Sequence, residues 1–317
     1  MRVVFMGTPE FAVPSLEQIV SDKYELAAVY TQPDRPEGRG RAVAESPVKK
    51  AALRRGLTVL QPVTLRDPAE VERLAALKPD VIVVAAFGQI LRQQVLDLPP
   101  LGCLNVHASL LPCHRGASPI SAAILAGDSE TGITVMLMDA GMDTGPILSQ
   151  MIVGIEPQDT TESLTTRLAL AGARLLGETL FPWSEGSLKP RPQEATRATY
   201  ARPIKKEDGA IDWRLPATDI SRRVRAFYPW PGCYTRWQGR LLRILEAVPL
   251  PREGKAVPGL VVAVPAGYPS VVGVGTGDGV LGLLRVQLEG KRAISGADFL
   301  RGQRGFLGDV LTSAGRP

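Results

Sequence analysis

The chain has 317 residues, 44% of them apolar, which is enough to bury a sizeable core and suggests two domains rather than one. Its net charge of +5 divides unevenly, because residues 1–189 carry 17 Lys+Arg and 21 Asp+Glu whereas residues 190–317 carry 20 and 11. The three cysteines are widely spaced, so disulfide bonds are not predicted. The sequence has no signal-peptide pattern and no apolar run near the roughly 20 residues that span a bilayer, which predicts a cytoplasmic protein.

The N-terminal half alternates short β-prone runs with helical patterns. Predicted strands lie at residues 2–6, 24–30, 81–86, 102–106 and 134–138, and predicted helices at 46–55, 68–77, 119–126 and 161–185. Strands rich in Val, Ile and Ala that alternate with helices predict a doubly wound, mostly parallel sheet of the Rossmann-like kind. We expect Thr8 to cap a helix that begins at Pro9. This first turn has one glycine where a dinucleotide-binding fingerprint needs three, so a nicotinamide cofactor is not predicted.

The composition changes after residue 189. Residues 190–206 are rich in proline and charge, which is typical of an exposed linker. Residues 207–317 contain a predicted helix and then short β-prone runs separated by glycines, a pattern that predicts a small OB-like β-barrel. Together with the nine excess positive charges, the barrel indicates a module that binds a polyanion such as RNA. We therefore expect a catalytic domain at 1–189, a linker at 190–206 and a binding domain at 207–317.

Three polar residues suit the transfer of an acyl group to an amine. Asn105 and His107 are two apart in a predicted strand, so they point to the same face. An Asn amide can donate to the oxyanion of the tetrahedral intermediate, and a His can move the proton between the two nitrogens. Asp143, in a glycine-flanked loop after the strand that ends near residue 138, can fix the imidazole tautomer. We expect neighbouring strand ends to bring this loop to the same cleft.

Other interpretations of these residues remain open at this point. An Asn-x-His triplet and a Gly-x-Asp-x-Gly turn both occur by chance. Cys103, His107, Cys113 and His114 are four potential zinc ligands, although their spacing matches no usual zinc site. Since His107 and His114 are the only histidines of the chain, any histidine chemistry belongs to this segment.

Several motifs resemble those of one enzyme family. The segment Asn105-Val-His-Ala-Ser-Leu-Leu-Pro112, then Arg115-Gly-Ala-Ser-Pro-Ile120 and Asp139-Ala-Gly-Met-Asp-Thr-Gly145, is similar to the signature of the 10-formyltetrahydrofolate-dependent formyltransferases. Matching motifs run along nearly the whole chain, at residues 7–11, 31–40, 46–49, 211–213, 225–231 and 276–279. Within the family, the resemblance is greatest to members that act on initiator tRNA charged with methionine. Cys113-His114 departs from the family pattern, which usually has a basic and then an aromatic residue there.

The resemblance implies a set of site residues. Asn105, His107 and Asp143 would be the catalytic trio, and Ser109, Leu110, Leu111 and Pro112 would contact the folate. A basic loop at residues 32–47 would approach the acceptor end of the tRNA through Arg39 and Arg41. The excess charge of the C-terminal part adds further candidates for phosphate contact, which are Lys205, Lys206, Arg222 and Arg223.

The expected reaction is transfer of the formyl group of 10-formyltetrahydrofolate to the α-amino group of methionine on initiator tRNA. Folate would be a consumed co-substrate, with no metal required, and we expect a monomer. One alternative keeps the trio but formylates a small amine, such as a nucleotide-biosynthesis intermediate or an amino sugar, and has no need of a basic second domain. Another is an RNA-binding module whose sheet domain is catalytically silent.

Overall fold

The computed structural model describes residues 1–37, 42–251 and 257–312. Contacts within the backbone separate two compact units. Unit 1 comprises Met1–Pro119, Ser129–Ile155 and Leu164–Arg202, and unit 2 comprises Ile120–Asp128, Glu156–Ser163 and Pro203–Pro317. The domain boundaries expected from the sequence, at 189 and 206, stay a proposal.

Unit 1 is built from alternating strands and helices. Its first elements are β1 (Arg2–Gly7), α1 (Val13–Ser21), β2 (Glu25–Tyr30), β3 (Arg35–Glu37), β4 (Ala42–Ala44), α2 (Pro47–Arg54), β5 (Val59–Leu60), α3 (Pro68–Ala76), β6 (Val81–Ala85) and α4 (Gln93–Leu96). There follow β7 (Cys103–His107), β8 (Arg115–Gly116), α5 (Pro119–Ala126), β9 (Glu130–Leu137), β10 (Ile147–Gly154), α6 (Thr161–Ser184) and β11 (Tyr200–Ala201). Helices α5 and α6 each contribute residues to both units.

The main sheet of unit 1 has the order β10-β9-β7-β6-β1-β2-β5. Strands β5, β2, β1, β6 and β7 are mutually parallel, and β9 runs antiparallel to β7. All five residues of β6, Val-Ile-Val-Val-Ala, are buried, as expected for a central strand with both faces covered. The doubly wound, mostly parallel sheet predicted from the sequence is confirmed.

The start of the first helix differs from the prediction. Pro9, not Thr8, precedes a short 3₁₀ turn at Glu10–Ala12, and α1 begins only at Val13. The hydroxyl of Thr8 instead donates to the carbonyl of Phe87 at 3.0 Å. The predicted cap is wrong because this hydroxyl bonds to a residue 79 positions away, which local sequence does not reveal. By contrast, the Ser46 side chain does cap α2, accepting from the Lys49 amide at 3.0 Å.

Unit 2 is an antiparallel β-structure with two helices of its own. Its elements are α7 (Ala217–Ala226), β12 (Cys233–Trp237), β13 (Arg240–Leu250), β14 (Val261–Ala263), β15 (Val272–Gly275), β16 (Val280–Leu288), β17 (Ile294–Ser295) and α8 (Gly296–Gly302). The sheet order is β12-β13-β16-β15-β14, with β17 paired to β16. Trp237, Phe299 and Phe306 pack edge to face with ring centroids 4.8–5.6 Å apart. This curled sheet is consistent with the predicted OB-like domain.

Within the described residues, no helix has both the length and the apolar composition needed to cross a membrane.

Candidate active site

Asn105 and His107 project from the same face of β7. The strand is inserted between β6 and β9, with Asn105 opposite Val84 on one side and Met136 on the other. Pairing on both sides fixes the β7 backbone, so the two side chains keep a common direction. His107 is buried, whereas Asn105 is half-buried and so stays partly accessible.

The carboxylate of Asp143 contacts both of these side chains. Its Oδ1 accepts from Nδ2 of Asn105 at 3.4 Å, and its Oδ2 lies 3.7 Å from Nδ1 of His107. The backbone amide of Gly116 donates to the same Oδ2 at 2.7 Å. The Asp143 carboxylate therefore lies within 4 Å of both the Asn105 carboxamide and the His107 imidazole, which confirms the predicted convergence. The chemical role of each group stays a prediction.

This convergence has a different cause from the one expected. Because β9 runs antiparallel to β7, Leu137 at the end of β9 pairs with Leu104 near the start of β7. The two carboxyl ends thus lie at opposite edges of the sheet. Asp143 still reaches β7 because the loop 138–146 folds back beside the strand, where Asp143 adopts a left-handed backbone conformation with φ of +52°. The sequence prediction assumed adjacent strand ends and missed the antiparallel pairing.

The imidazole of His107 has an oxygen acceptor at each nitrogen. Nε2 lies 3.1 Å from the backbone carbonyl of His114, and Nδ1 faces Asp143. Burial lowers the pKa of His107 below its usual 6.5, while the Asp143 charge and the His114 carbonyl act in the opposite direction. Burial thus favours the neutral ring, which is the form that can accept a proton.

The predicted folate-contact segment forms a tight turn after β7. The Ser109 hydroxyl is buried and donates to the Cys113 carbonyl at 2.6 Å. The Leu111 amide donates to Thr134 Oγ1 at 3.0 Å, and the Leu111–Pro112 peptide is cis. Leu111 is also buried, whereas Leu110 and Pro112 are half-buried. Ser109 and Leu111 thus shape the turn from inside, and folate contact by the segment stays a prediction.

Two residues that the sequence reasoning left out support the Asp143 loop. Gln193 donates through Nε2 to the carbonyls of Asp143 and Gly145, at 2.9 and 2.7 Å. Its Oε1 accepts from the buried guanidinium of Arg115. The signal available in the sequence was Arg115 itself, an arginine among mostly small and apolar residues four positions before the start of a predicted helix.

The predicted tRNA-contact residues have very different surroundings. Arg39 and Arg41 lie outside the described residues. Lys205 and Lys206 are exposed. Arg222 forms an ion pair with Asp219 at 3.6 Å, and Arg223 donates to the Asp208 carbonyl at 3.1 Å. Since both arginines already have partners within unit 2, the two lysines are the freer candidates for phosphate contact.

The zinc alternative gains no support from the arrangement of side chains. Nowhere in the described part of the chain do three or more His, Cys, Asp or Glu side chains group as metal ligands would. Cys103, the first residue of β7, is buried in a hydrophobic cluster, and this burial raises the pKa of its thiol to about 12 and opposes thiolate formation.

The chain belongs to the formyl transferase family. A family model described as formyl transferase matches residues 1–180, and a second, described as formyl transferase C-terminal domain, matches residues 203–304.

Among curated relatives, methionyl-tRNA formyltransferase from Chloroflexus aggregans is 50% identical over 303 residues, 95% of this chain and 97% of that protein. The protein of the same name from Roseiflexus castenholzii is 51% identical over 313 residues, 98% of this chain and 99% of its own. Both similarities thus extend through the site residues of unit 1 and the basic C-terminal part.

Solved structures share the fold at lower identity. The N-formyltransferase of Helicobacter canadensis, in complex with folinic acid and dTDP-3-aminofucose, superimposes with a TM-score of 0.66 over 89% of this chain and 98% of its own, at 19% identity. HypX from Aquifex aeolicus, in complex with tetrahydrofolic acid, gives a TM-score of 0.61 over 98% of this chain and 48% of its own, also at 19% identity. These matches support the fold.

Proposed function

We propose that the chain transfers the formyl group of 10-formyltetrahydrofolate to the α-amino group of methionine esterified to initiator tRNA. The observation that carries this proposal is the identity of about 50% to methionyl-tRNA formyltransferases across 95–98% of the chain. The nine excess positive charges after residue 189 agree with a polyanionic acceptor. Because its acceptor is a charged tRNA, we expect the enzyme to act in the cytoplasm, and we expect a monomer.

In the proposed mechanism the neutral α-amine attacks the formyl carbon of the folate, and the formyl oxygen becomes an oxyanion. Asn105 Nδ2 donates a hydrogen bond to that oxygen. His107 keeps Nδ1–H toward Asp143, and its Nε2 turns from the His114 carbonyl to take a proton from the attacking nitrogen and deliver it to N10 of the folate as the carbon–N10 bond breaks. The products are N-formylmethionyl-tRNA and tetrahydrofolate. Asp143 stabilises the imidazolium that forms between these two proton transfers.

The turn at Ser109–Pro112 begins two residues after His107, the last residue of β7. We propose that Leu110 and Pro112 contact the folate, while Ser109 and Leu111 hold the turn. We further propose that Arg39 and Arg41 approach the acceptor end of the tRNA. For contact with phosphates we propose Lys205 and Lys206 ahead of Arg222 and Arg223, because the lysines are exposed.

The proposal is tested by incubating the purified full-length chain with 10-formyltetrahydrofolate and initiator methionyl-tRNA, and detecting N-formylmethionine by mass spectrometry after deacylation. Replacing His107 by Ala should lower the rate roughly 10²- to 10⁴-fold while tRNA affinity stays close to wild type. His114→Asn, which changes the other histidine of the chain, should retain most of the activity. Full activity of His107→Ala would contradict the mechanism.

The same assay separates the competing functions. Parallel reactions offer free methionine and an amino sugar nucleotide as acceptors. Formylation of a small amine at rates above those with charged tRNA would favour the small-amine alternative. If tetrahydrofolate is released from 10-formyltetrahydrofolate equally fast without any acceptor, the chain is not the proposed enzyme. The same conclusion follows if charged tRNA and the small amines all fail to cause its release.

A further inference from the structure

The side chain of Gln193 lies between the Asp143 loop and Arg115. Its single NH₂ group donates to two backbone carbonyls on either side of Thr144, those of Asp143 at 2.9 Å and Gly145 at 2.7 Å. Its carbonyl oxygen accepts from Nε and Nη2 of Arg115, at 3.1 and 2.7 Å. Every hydrogen-bonding group of the carboxamide is therefore used to join these two parts of unit 1.

Arg115 determines which way the carboxamide points. Only 4% of Arg115 is exposed, and its guanidinium has donors and no acceptor. The oxygen of Gln193 must face the guanidinium, so its NH₂ must face the two carbonyls. Arg115 is itself held in β8, which pairs in parallel with β11 in the register Arg115↔Tyr200 and Gly116↔Ala201.

The strand β8 also holds the carboxylate of Asp143, since the Gly116 amide donates to its Oδ2 at 2.7 Å. Glycine is needed at this position, because its φ is +116° and a Cβ would lie 2.6 Å from the Ala201 carbonyl oxygen. Both β11 and Gln193 belong to residues 190–202, which we call the strap. The strap therefore secures Asp143 twice, at its side chain through β8 and at its backbone through Gln193.

Asp143 needs such support. Its left-handed backbone conformation is uncommon for a residue other than glycine, and persists where the surroundings enforce it. Rotation of this one residue would swing the carboxylate away from Asn105 and His107. The two hydrogen bonds from Gln193 fix the peptide groups that follow Asp143 and Gly145, and so oppose that rotation.

We propose that Gln193 is a positioning residue, which sets the distance from the Asp143 carboxylate to His107 by holding the backbone of the Asp143 loop. The inference rests on the proposed function, since it assigns the strap a part in formyl transfer. It makes the strap a structural part of the active site, although its composition is that of a linker.

The decisive variant is Gln193→Glu. Glutamate keeps the size of the side chain and its contact with Arg115, but offers oxygen instead of NH₂ to both carbonyls. The fold should be retained, kcat should fall roughly 10- to 100-fold, and KM for folate and for charged tRNA should change less than about twofold. The matched control is Gln18→Glu on α1, which adds the same charge where Gln18 donates to Asp22 at 2.8 Å. It should behave as wild type.

A second readout needs no substrate. The chain has two histidines, so the ring nitrogens of His107 can be followed by NMR after assignment with His114→Asn. Gln193→Glu should shift the Nδ1 signal of His107, because Asp143 has moved, whereas Gln18→Glu should not. A kcat within twofold of wild type, or an unmoved His107 signal, would overturn the proposal. If the wild-type protein formylates no charged tRNA, the proposed function fails and the NMR experiment still decides the positioning role.

Arg115→Lys serves if Gln193→Glu does not fold. Lysine keeps the charge but cannot donate the pair of hydrogen bonds, from Nε and Nη2, by which Arg115 orients Gln193. We expect a smaller loss of kcat, about tenfold or less, together with a shifted His107 signal. An Arg115→Lys protein indistinguishable from wild type in both measurements would overturn the proposal.

Discussion

His107 shows how burial prepares a side chain for proton transfer. In water an imidazole is close to half protonated near pH 6.5, so much of it cannot act as a base at slightly acidic pH. Burial of His107 favours the neutral form, and Asp143 limits the effect so that the imidazolium can still form during the reaction. The His114 carbonyl and the Asp143 carboxylate each lie next to one ring nitrogen of His107, so a proton on either nitrogen has an oxygen acceptor.

The first prediction concerns pH. The pKa of His107 is lower in the folded protein than the value of about 6.5 that it has in the unfolded chain. The buried neutral imidazole therefore contributes fully to stability above pH 6.5, and this contribution is lost as the pH falls from 6.5 toward the folded pKa. The NMR titration midpoint of His107 in the free enzyme should therefore lie below pH 6.5. Asp143→Asn removes a cause that raises this pKa, so the NMR titration midpoint of His107 should move lower. An upward movement would contradict the assignment.

At the residue scale the sequence predicted Asn105, His107 and Asp143 but not Gln193 or Arg115. The trio was accessible because spacing within a strand and side-chain chemistry are local properties. Gln193 acts through contacts to residues about 50 and 78 positions away, inside a segment whose prolines and charges predict an exposed linker. No periodicity or spacing encodes such a contact.

At the element scale, the loop between β9 and β10 decides whether the site forms. Gly145 lies so close to β9 that a Cβ there would be 1.8 Å from the Leu137 carbonyl oxygen. This close approach lets the loop turn back along β7 rather than continue beyond the sheet. The path of this loop therefore requires a residue without a side chain at position 145.

The second prediction follows from this contact. Gly145→Ala should lower the free energy of unfolding by about 2–3 kcal/mol, as overpacking against the backbone does, and should also reduce kcat by displacing Asp143. The control is Gly154→Ala at the end of β10, where a Cβ would meet no atom within 4 Å. It should change stability by less than about 0.5 kcal/mol. Urea denaturation of the two variants measures the difference, and equal stabilities would refute the steric argument.

Element types were largely predictable, but their pairing was not. The helix at Pro119–Ala126 and the strands near β2, β6 and β7 follow from local pattern. The antiparallel direction of β9 could not be inferred, because Val/Ile-rich runs carry no sign of strand direction. The two-residue strands β8 and β11 were likewise missed, since pairs this short have no period.

At the scale of the whole molecule, the uneven charge was visible in the sequence. The excess of positive charge after residue 189 belongs to the part of the chain that forms most of unit 2. Binding that depends on phosphate contacts weakens with salt, because each contact releases condensed counterions. The strength of that dependence reports how many contacts exist.

The third prediction uses this dependence. Changing both Lys205 and Lys206 to Glu should weaken binding of initiator tRNA and reduce the slope of log K against log salt by about one to two units. The control reverses two exposed charges of unit 1, Lys23 and Lys78, which precede β2 and β6 at the opposite edge of the sheet from the site. Filter binding at several salt concentrations compares the pairs. Equal slopes would show that Lys205 and Lys206 make no phosphate contact.

The membership of the two units has a consequence for protein engineering. The chain passes between unit 1 and unit 2 five times, and two short stretches that precede residue 164, Ile120–Asp128 and Glu156–Ser163, belong to unit 2. In that unit Arg225 donates to the Asp159 carbonyl at 2.9 Å, and Thr161 donates to the Ala226 carbonyl at 2.7 Å. A gene spliced at residue 203 would hence leave both stretches without their native neighbours, so transplanting the basic module onto another enzyme requires three segments rather than one.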